Sequence, residues 1–240
     1  MENKVELLGW YGGDKRACLS AWQSTTDELG LDINDIPQTD RIDVLFGHVA
    51  KMKKKTPLEL INMLAKAGHH TPFEKMMVDF QLTAEIASHI HSVKHRIAQI
   101  NSESARYKEL IDKYYIPKDW NIKAPREASL LLNLEGEFTW GELLDESSKI
   151  NNELYHLAAE DLKESLGRKR AKETARFFLQ YNKQLNYDFQ MNWRSFMNFQ
   201  NLRNSPHAQV EIKEIAEKML DCVRNIEGNP FKMSLEAFGY

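Results

Sequence analysis

Residues 78–100 read VDFQLTAEIASHIHSVKHRIAQI, and the spacing of their apolar residues changes partway along. Over residues 78–83, apolar and polar residues alternate strictly, which is typical of a half-buried β-strand. After Thr83 the apolar residues recur at spacings of 4 and 3, which predicts a helix with one buried stripe, ending near Asn101. The members of this stripe are Ile86, Ile90, Val93, Ile97 and Ile100.

Helix signals dominate the rest of the chain. Thr56-Pro57-Leu58-Glu59 combines an N-cap, a proline at the first helical position and a capping-box glutamate. Thr139 and Glu142 repeat the capping box before a long predicted helix that ends at Leu166. We also expect a strand over residues 5–10, helices over 15–23 and 168–181, a last long helix from Ser205-Pro206, and an irregular connection over 113–137. The sequence predicts an α+β fold: a mostly helical single domain over residues 1–240 with a small sheet.

Composition and charge exclude some classes of function. The chain has 240 residues, 42% hydrophobic and 28% charged, which is enough to form a sizeable core. A formal net charge of −3 argues against a generally basic nucleic-acid coat, so any anion must be bound by a local basic cluster. Neither a signal peptide nor a run of about 18 apolar residues is found, and we expect a soluble, cytoplasmic protein. Cys18 and Cys222 are expected to be reduced thiols.

The histidines raise the question of a metal site. His91 and His95 stand at the i, i+4 spacing that a zinc-binding helix uses. However, no glutamate lies between them, and the charge of Lys94 would oppose a cation. We therefore predict no metal. The doublet His69-His70 follows Gly68 at the expected end of a helix.

Two further segments are rich in polar groups. Residues 94–107 combine cations with a loop of Ser, Asn and Glu, which suits a phosphate but equally suits a solvated charged face. Residues 192–203 carry amides and guanidinium groups that can bind the edges of heterocyclic rings. The polar face of a helix hairpin, or a binding site for single-stranded nucleic acid, would have a similar composition. Composition alone leaves these alternatives open.

The order of three motifs, however, resembles one family, the flavin-dependent thymidylate synthases (ThyX). Residues 68–74, GHHTPFE, are similar to its Gly-His-x-Thr-Pro-Phe-Glu segment. Lys94-His95-Arg96, followed after seven residues by Ser104, is similar to its hallmark Arg-His-Arg…Ser. Residues 192–203 and 205–209 are similar to its third block. The resemblance covers most of residues 68–209.

This resemblance implies a reaction and a set of partners. The family methylates deoxyuridylate (dUMP) at C5 to give thymidylate (dTMP), with methylenetetrahydrofolate as carbon donor. Reduced FAD supplies the hydride, NADPH usually reduces the FAD, and no cysteine nucleophile is needed. The resemblance also implies a ThyX-like fold and a homotetramer with active sites between subunits, with no membrane or nucleic-acid partner.

The resemblance also implies roles for individual residues. Arg203 would polarise or ionise uracil N3, and His69 would lie near the flavin and folate. The residues expected to contact FAD are Ser24, Thr71, Lys94, His95, Arg96, Ser102, Asn192, Arg194 and Asn198. The residues expected to contact dUMP are His91, Lys94, Glu103, Ser104, Ala105, Arg106, Arg176 and Arg203.

This chain departs from the family pattern at four positions. Lys94 replaces the first hallmark arginine, His91 stands where many members have Gln, Gln99 replaces a common Ser, and Asn101-Ser102 stands where many have Asn-Glu. These departures leave open a divergent FAD- and nucleotide-binding relative with weakened or altered activity. A nucleic-acid-binding module that uses the basic, aromatic segments is a separate alternative.

Overall fold

A computed structural model describes residues 1–27 and 31–240, and it confirms a mostly helical α+β fold with a small sheet. The strands are β1 (Lys4–Tyr11), β2 (Met77–Glu85), β3 (Gln99–Ser102) and β4 (Gln184–Asn192). The α-helices of the described residues are α1 (Gly13–Trp22), α2 (Arg41–Ala50), α3 (Pro57–Lys66), α4 (Ile86–Ser92), α5 (Arg126–Leu131), α6 (Trp140–Leu166), α7 (Arg168–Ala175), α8 (Trp193–Arg203), α9 (Val210–Arg224) and α10 (Lys232–Ala237).

The strands form one antiparallel sheet in the order β1-β2-β4-β3. The two central strands, β2 and β4, alternate between buried and half-buried residues. This alternation is the pattern that residues 78–83 predict, because successive side chains of a strand point to opposite faces. β4 was not predicted from the sequence.

Both predicted capping boxes are present. Thr56 Oγ1 accepts a hydrogen bond from Glu59 N, and the Glu59 carboxylate accepts one from Thr56 N, at the start of α3. Thr139 and Glu142 make the same pair of bonds at the start of α6. These caps satisfy backbone N–H groups that have no partner inside the helix.

The helix predicted after Thr83 is much shorter than expected. α4 ends at Ser92, and the chain forms strand β3 from Gln99 onward. The predicted stripe is not a buried face, because Val93 is 43% and Ile97 71% exposed. The i, i+4 pair His91 and His95 therefore does not lie on one helix.

Other helices also begin or end at residues different from those predicted. The helix expected over residues 168–181 is α7 followed by a short 3-10 helix, Arg176–Phe178. The last long helix, α9, begins at Val210 rather than at Ser205-Pro206, and the connection over residues 113–137 contains α5. Helices α2 and α10 were not predicted.

The chain divides into two compact units. Unit 1 comprises residues 1–4, 82–94 and 101–187, and unit 2 comprises residues 5–81, 95–100 and 188–240. The prediction of one domain over residues 1–240 stays a prediction.

The core of unit 1 includes a cluster of Tyr155, Ala159 and Ala175. The buried ammonium of Lys183 donates to Ile111 O at 2.7 Å and to Asn152 Oδ1 at 2.9 Å, so its polar group is satisfied.

The core of unit 2 is built on aromatic rings. Trp193 stacks on Phe231 with ring centroids 4.7 Å apart, and Phe80 stacks on Phe196 at 5.9 Å. Because these rings fix the start of α8, they also fix the candidate site residues on that helix. In residues 1–27 and 31–240, no helix has the length and apolar character needed to cross a bilayer.

Candidate functional site

Three predicted site residues of unit 2 line one cavity. Ser24, His69 and Thr71 lie around a volume of about 600 Å³. The end of α1, the 3-10 helix Gln23–Thr25, the loop before α3 and one side of α3 supply the rest of the lining. Ser24, His69 and Thr71 are all exposed, so they are accessible to a ligand.

The segment that carries Thr71 is tied to the start of α8. Thr71–Lys75 is a 3-10 helix, and its Glu74 accepts a hydrogen bond from Arg194 Nη1 at 2.6 Å. The Asn192 side chain caps α8 by accepting from Ser195 N at 2.9 Å. These contacts bring Thr71, Asn192 and Arg194 into one region, as the resemblance implies for a common ligand.

Arg203, the last residue of α8, is held by a histidine. Its Nε donates to His95 Nε2 at 3.0 Å, and the His95 ring packs edge-on against Phe199 with centroids 4.8 Å apart. This bond requires an unprotonated Nε2 on His95, because a hydrogen-bond acceptor needs a lone pair. It uses only the Nε–H of the guanidinium, and among residues 1–27 and 31–240 neither Nη group has a hydrogen-bond partner.

In unit 1, the predicted nucleotide loop is braced against β4 and α4. Glu103 N donates to Asn186 O at 2.9 Å, and the Glu103 carboxylate accepts from Asn186 N at 2.8 Å and from Lys108. Desolvation acts to raise the pKa of Glu103, but the hydrogen bonds from Lys108 and Asn186 outweigh it, and the pKa is lowered. Ser102 Oγ lies 2.7 Å from His89 Nε2.

The predicted phosphate-binding arginine of this loop has an acidic partner. Arg106 Nε donates to Glu173 Oε1 at 3.0 Å, and the hydrogen bond from Arg106 lowers the pKa of Glu173. Ser104 Oγ accepts from Arg106 N at 3.3 Å. Arg176 begins the short 3-10 helix after α7 and is exposed.

The remaining predicted residues differ in accessibility. Lys94, Arg96 and Asn198 are exposed, His91 is half-buried, and Ala105 is buried. Among the described residues, no three His, Cys, Asp or Glu side chains converge in a group that could hold a metal ion.

The cysteines have the properties of unreactive thiols. Burial raises the pKa of Cys18 to about 12, and burial also raises the pKa of Cys222. A thiolate nucleophile needs a lowered pKa, so neither side chain suits nucleophilic catalysis.

Sequence reasoning missed several residues at these sites. Glu74 and Glu173 hold two of the candidate arginines, and neither was assigned a role. Lys53, Lys54 and Lys55 line the cavity of Ser24, His69 and Thr71. The run of three lysines before Thr56 was the signal that could have drawn attention to this part of the chain.

Comparisons with known proteins agree with the resemblance. The family model described as thymidylate synthase complementing protein matches residues 6–227. A flavin-dependent thymidylate synthase of Thermosipho africanus is 35% identical over 175 residues, which cover 72% of this chain and 74% of that protein. One from Thermotoga neapolitana is 31% identical over 183 residues, covering 76% and 77% of the two chains.

A solved structure shares the fold. The crystal structure of the UMP/dUMP methylase PolB from Streptomyces cacaoi bound with 5-Br dUMP superposes with a TM-score of 0.68 at 24% identity, covering 99% of this chain and 94% of that one. The family predicted from the three motifs is thus confirmed. With a family model that spans nearly its whole length, this chain belongs to the thymidylate synthase complementing protein family.

Proposed function

We propose that this protein is a flavin-dependent thymidylate synthase, which methylates dUMP at C5 to form dTMP without a cysteine nucleophile. Family membership gives the reaction class. The observation that carries the proposal is the contact between Arg203 and His95, because it holds a guanidinium on the helix that carries the third motif, and neither Nη group is hydrogen-bonded to any of the described residues.

Arg203 is the proposed electrostatic catalyst. A guanidinium beside uracil N3 and an adjacent carbonyl oxygen stabilises negative charge on the pyrimidine ring and lowers the pKa of N3. Because His95 holds Nε, the Nη groups are left to bind the ring. His95 is a positioning residue in this scheme, in addition to the flavin contact that the resemblance implies.

The cavity of unit 2 has a donor set that fits a flavin. Trp22, Leu64 and Pro72 supply apolar wall, while Ser24 and Thr71 supply hydroxyl groups. Flat heterocycles are bound in this way, by apolar walls and a few polar groups at the edge. A bound, reduced flavin would supply the hydride, and His69 would lie beside it.

The remaining proposed FAD contacts come from two groups of residues. Asn192, Arg194 and Asn198 belong to the third motif, and Arg194 is held by Glu74. Lys94, Arg96 and Ser102 belong to the hallmark segment and to β3.

Residues of unit 1 are proposed to bind the phosphate end of the nucleotide. The side chain of Arg106 and the backbone of Ser104 and Ala105 would bind the phosphate, with Arg176 as a further cation. Arg106, which one carboxylate holds in the structure, would exchange Glu173 for the phosphate. His91, Lys94 and Glu103 complete the proposed nucleotide contacts.

Further parts of the proposal concern co-substrates, assembly and location. Methylenetetrahydrofolate would be the carbon donor and NADPH the reductant. The assembly would be a homotetramer with active sites at subunit interfaces. The two unpaired thiols suit a cytoplasmic location.

The test is dTMP formation by the purified chain, with FAD, NADPH, methylenetetrahydrofolate and dUMP each omitted in turn. We expect product only when the flavin, the folate and dUMP are all present. The double variant Cys18→Ala with Cys222→Ala should keep its turnover, and loss of turnover in a folded double variant would contradict the absence of a thiol nucleophile.

The same assay separates the alternatives. A protein that binds FAD and oxidises NADPH without making dTMP would be a divergent relative, altered at His91, Lys94, Gln99 and Ser102. A protein that binds oligonucleotides in a salt-dependent manner and binds no flavin would be a nucleic-acid-binding module.

A further inference from the structure

Three consecutive lysines stand at the edge of the cavity in unit 2. Lys53, Lys54 and Lys55, here called the lysine rim, occupy the loop between α2 and α3 and line the same cavity as His69 and Thr71. None of these lysines belongs to a motif of the family resemblance. Their charge at this position requires its own explanation.

No ion pair with the described residues neutralises the charge of the lysine rim. Within residues 1–27 and 31–240, no carboxylate lies within 4.0 Å of the ammonium group of Lys53, Lys54 or Lys55. Lys149, by contrast, contacts both Asp145 and Glu146. Glu59 follows the rim. Hydrogen bonds from Thr56 in the capping box are the main cause that lowers its pKa, and the charge of Lys55 contributes less.

Two of the three ammonium groups are held in place by neutral partners. Lys53 Nζ donates to Thr25 O at 2.8 Å and to Thr25 Oγ1 at 3.0 Å. Lys55 Nζ contacts Met63 Sδ at 2.8 Å, which is a weak acceptor. An ammonium group has three donors, so both lysines keep donors for a ligand. Lys54 is exposed.

The wall behind the lysine rim is largely apolar. It includes the side chains of Ala21, Trp22, Leu60, Leu64 and Pro72. A cavity with apolar walls and a cationic edge fits a ligand that combines a flat aromatic body with a highly charged anionic end. A single carboxylate or phosphate would leave part of this positive charge unpaired.

We propose that the lysine rim is a subsite for the multiply charged anionic group of an aromatic ligand. Two ligands of the proposed function have this chemistry, the pyrophosphate of a flavin dinucleotide and the carboxylates of a folate with a glutamyl tail. The identity of these two ligands rests on the proposed function. The binding chemistry itself follows from the cavity.

The test compares ligands that differ only in their charged end. The full chain, freed of bound flavin, is titrated with riboflavin, FMN and FAD by flavin fluorescence. It is then titrated with 5-formyltetrahydrofolate carrying one or three glutamates by calorimetry. The variant is Lys54→Gln with Lys55→Gln. The matched controls are Lys51→Gln and Lys66→Gln, two exposed lysines outside the cavity lining.

We expect the double variant to bind the more charged ligand of one series about five- to tenfold more weakly, since partly exposed ion pairs are individually weak. Riboflavin binding and both control variants should be unchanged. A loss confined to FAD assigns the pyrophosphate to the subsite, and a loss confined to the triglutamate assigns the folate tail.

Two results would overturn the inference. One is a double variant that binds every ligand like the parent chain. The other is equal weakening of riboflavin and FAD, because that would mean that the lysines only support the cavity walls. Since these are binding measurements, they stand apart from dTMP formation, whose failure would overturn the proposed function instead. Lys54→Glu gives a second variant, with a larger expected loss, if the double variant unfolds.

Discussion

Helices α4 and α8 begin alike and end differently. Each directly follows a nine-residue strand. Each is capped by the last residue of that strand, because the Glu85 carboxylate accepts from Ser88 N and the Asn192 amide accepts from Ser195 N. Yet α4 has 7 residues and α8 has 11.

The difference lies in what their apolar side chains contact. On α8, Phe196, Met197 and Phe199 are all at most 1% exposed. Beyond α4, Val93 is 43% and Ile97 71% exposed, and they provide no buried face for a longer helix. Most helical stability in proteins comes from a buried face, so similar caps do not give similar lengths.

This difference separates two kinds of candidate residue. Arg203 lies on a helix with a buried aromatic face, and the packing of that face fixes the position of its backbone. Lys94 and Arg96 lie after α4, outside any helix or strand, and are exposed. We expect the first kind to act through fixed geometry and the second through adjustable contacts with a ligand.

The largest expected effect tests the buried face of α8. Phe199→Ala should lower the free energy of unfolding by about 3–5 kcal/mol, because Phe199 is fully buried. Val93→Ala, at the exposed end of α4, should change it by less than about 0.5 kcal/mol. Urea unfolding measures the free energy of unfolding of both variants. An equal decrease in the two variants would contradict the comparison of α4 with α8.

The next effect tests the fixed guanidinium. Arg203→Ala should lower the turnover of dTMP formation by about 10²–10³-fold, because it removes donors aimed at charge that develops on the ring. The folded variant should still bind FAD. Arg224→Ala on α9 is the matched control, and unchanged turnover in Arg203→Ala would refute the role of Arg203.

A smaller effect tests how Arg203 is held. His95→Ala should lower turnover by about tenfold, equivalent to about 1.4 kcal/mol, because Nε loses its acceptor. His95→Gln should recover much of this loss, since the amide oxygen can also accept from Nε. Because His95 is also a proposed flavin contact, kcat is compared with both variants saturated with FAD. Equal kcat values for His95→Ala and His95→Gln would contradict the positioning role.

The smallest effect concerns α4 and pH. Burial lowers the pKa of His89 below its ordinary value of 6.5. As pH falls below 6.5, the unfolded chain therefore binds a proton at His89 more readily than the folded chain does. The stability that depends on neutral His89 is lost as pH falls below 6.5. His89→Gln should flatten the dependence of unfolding free energy on pH between about 5 and 7. His91→Gln is the control, and an unchanged slope in His89→Gln would contradict the prediction.

Much of the site was predictable because its residues are grouped in the sequence. The motifs around Thr71, Ser104 and Arg203 identified the family. The partners Glu74 and Glu173 were not predictable in this way. Each lies far from its arginine in the chain or on another element, and an ion pair at that separation leaves no local pattern.

The sequence by itself determined the features that depend on near neighbours. These include the capping boxes at Thr56 and Thr139, the alternation of β2, and the family motifs. Only the tertiary structure decided that α4 ends at Ser92, that β4 lies at the centre of the sheet, and that Lys53, Lys54 and Lys55 face a cavity. The physical reason is that caps and periodicity act over a few residues, whereas burial is set by whichever distant segment packs against a face.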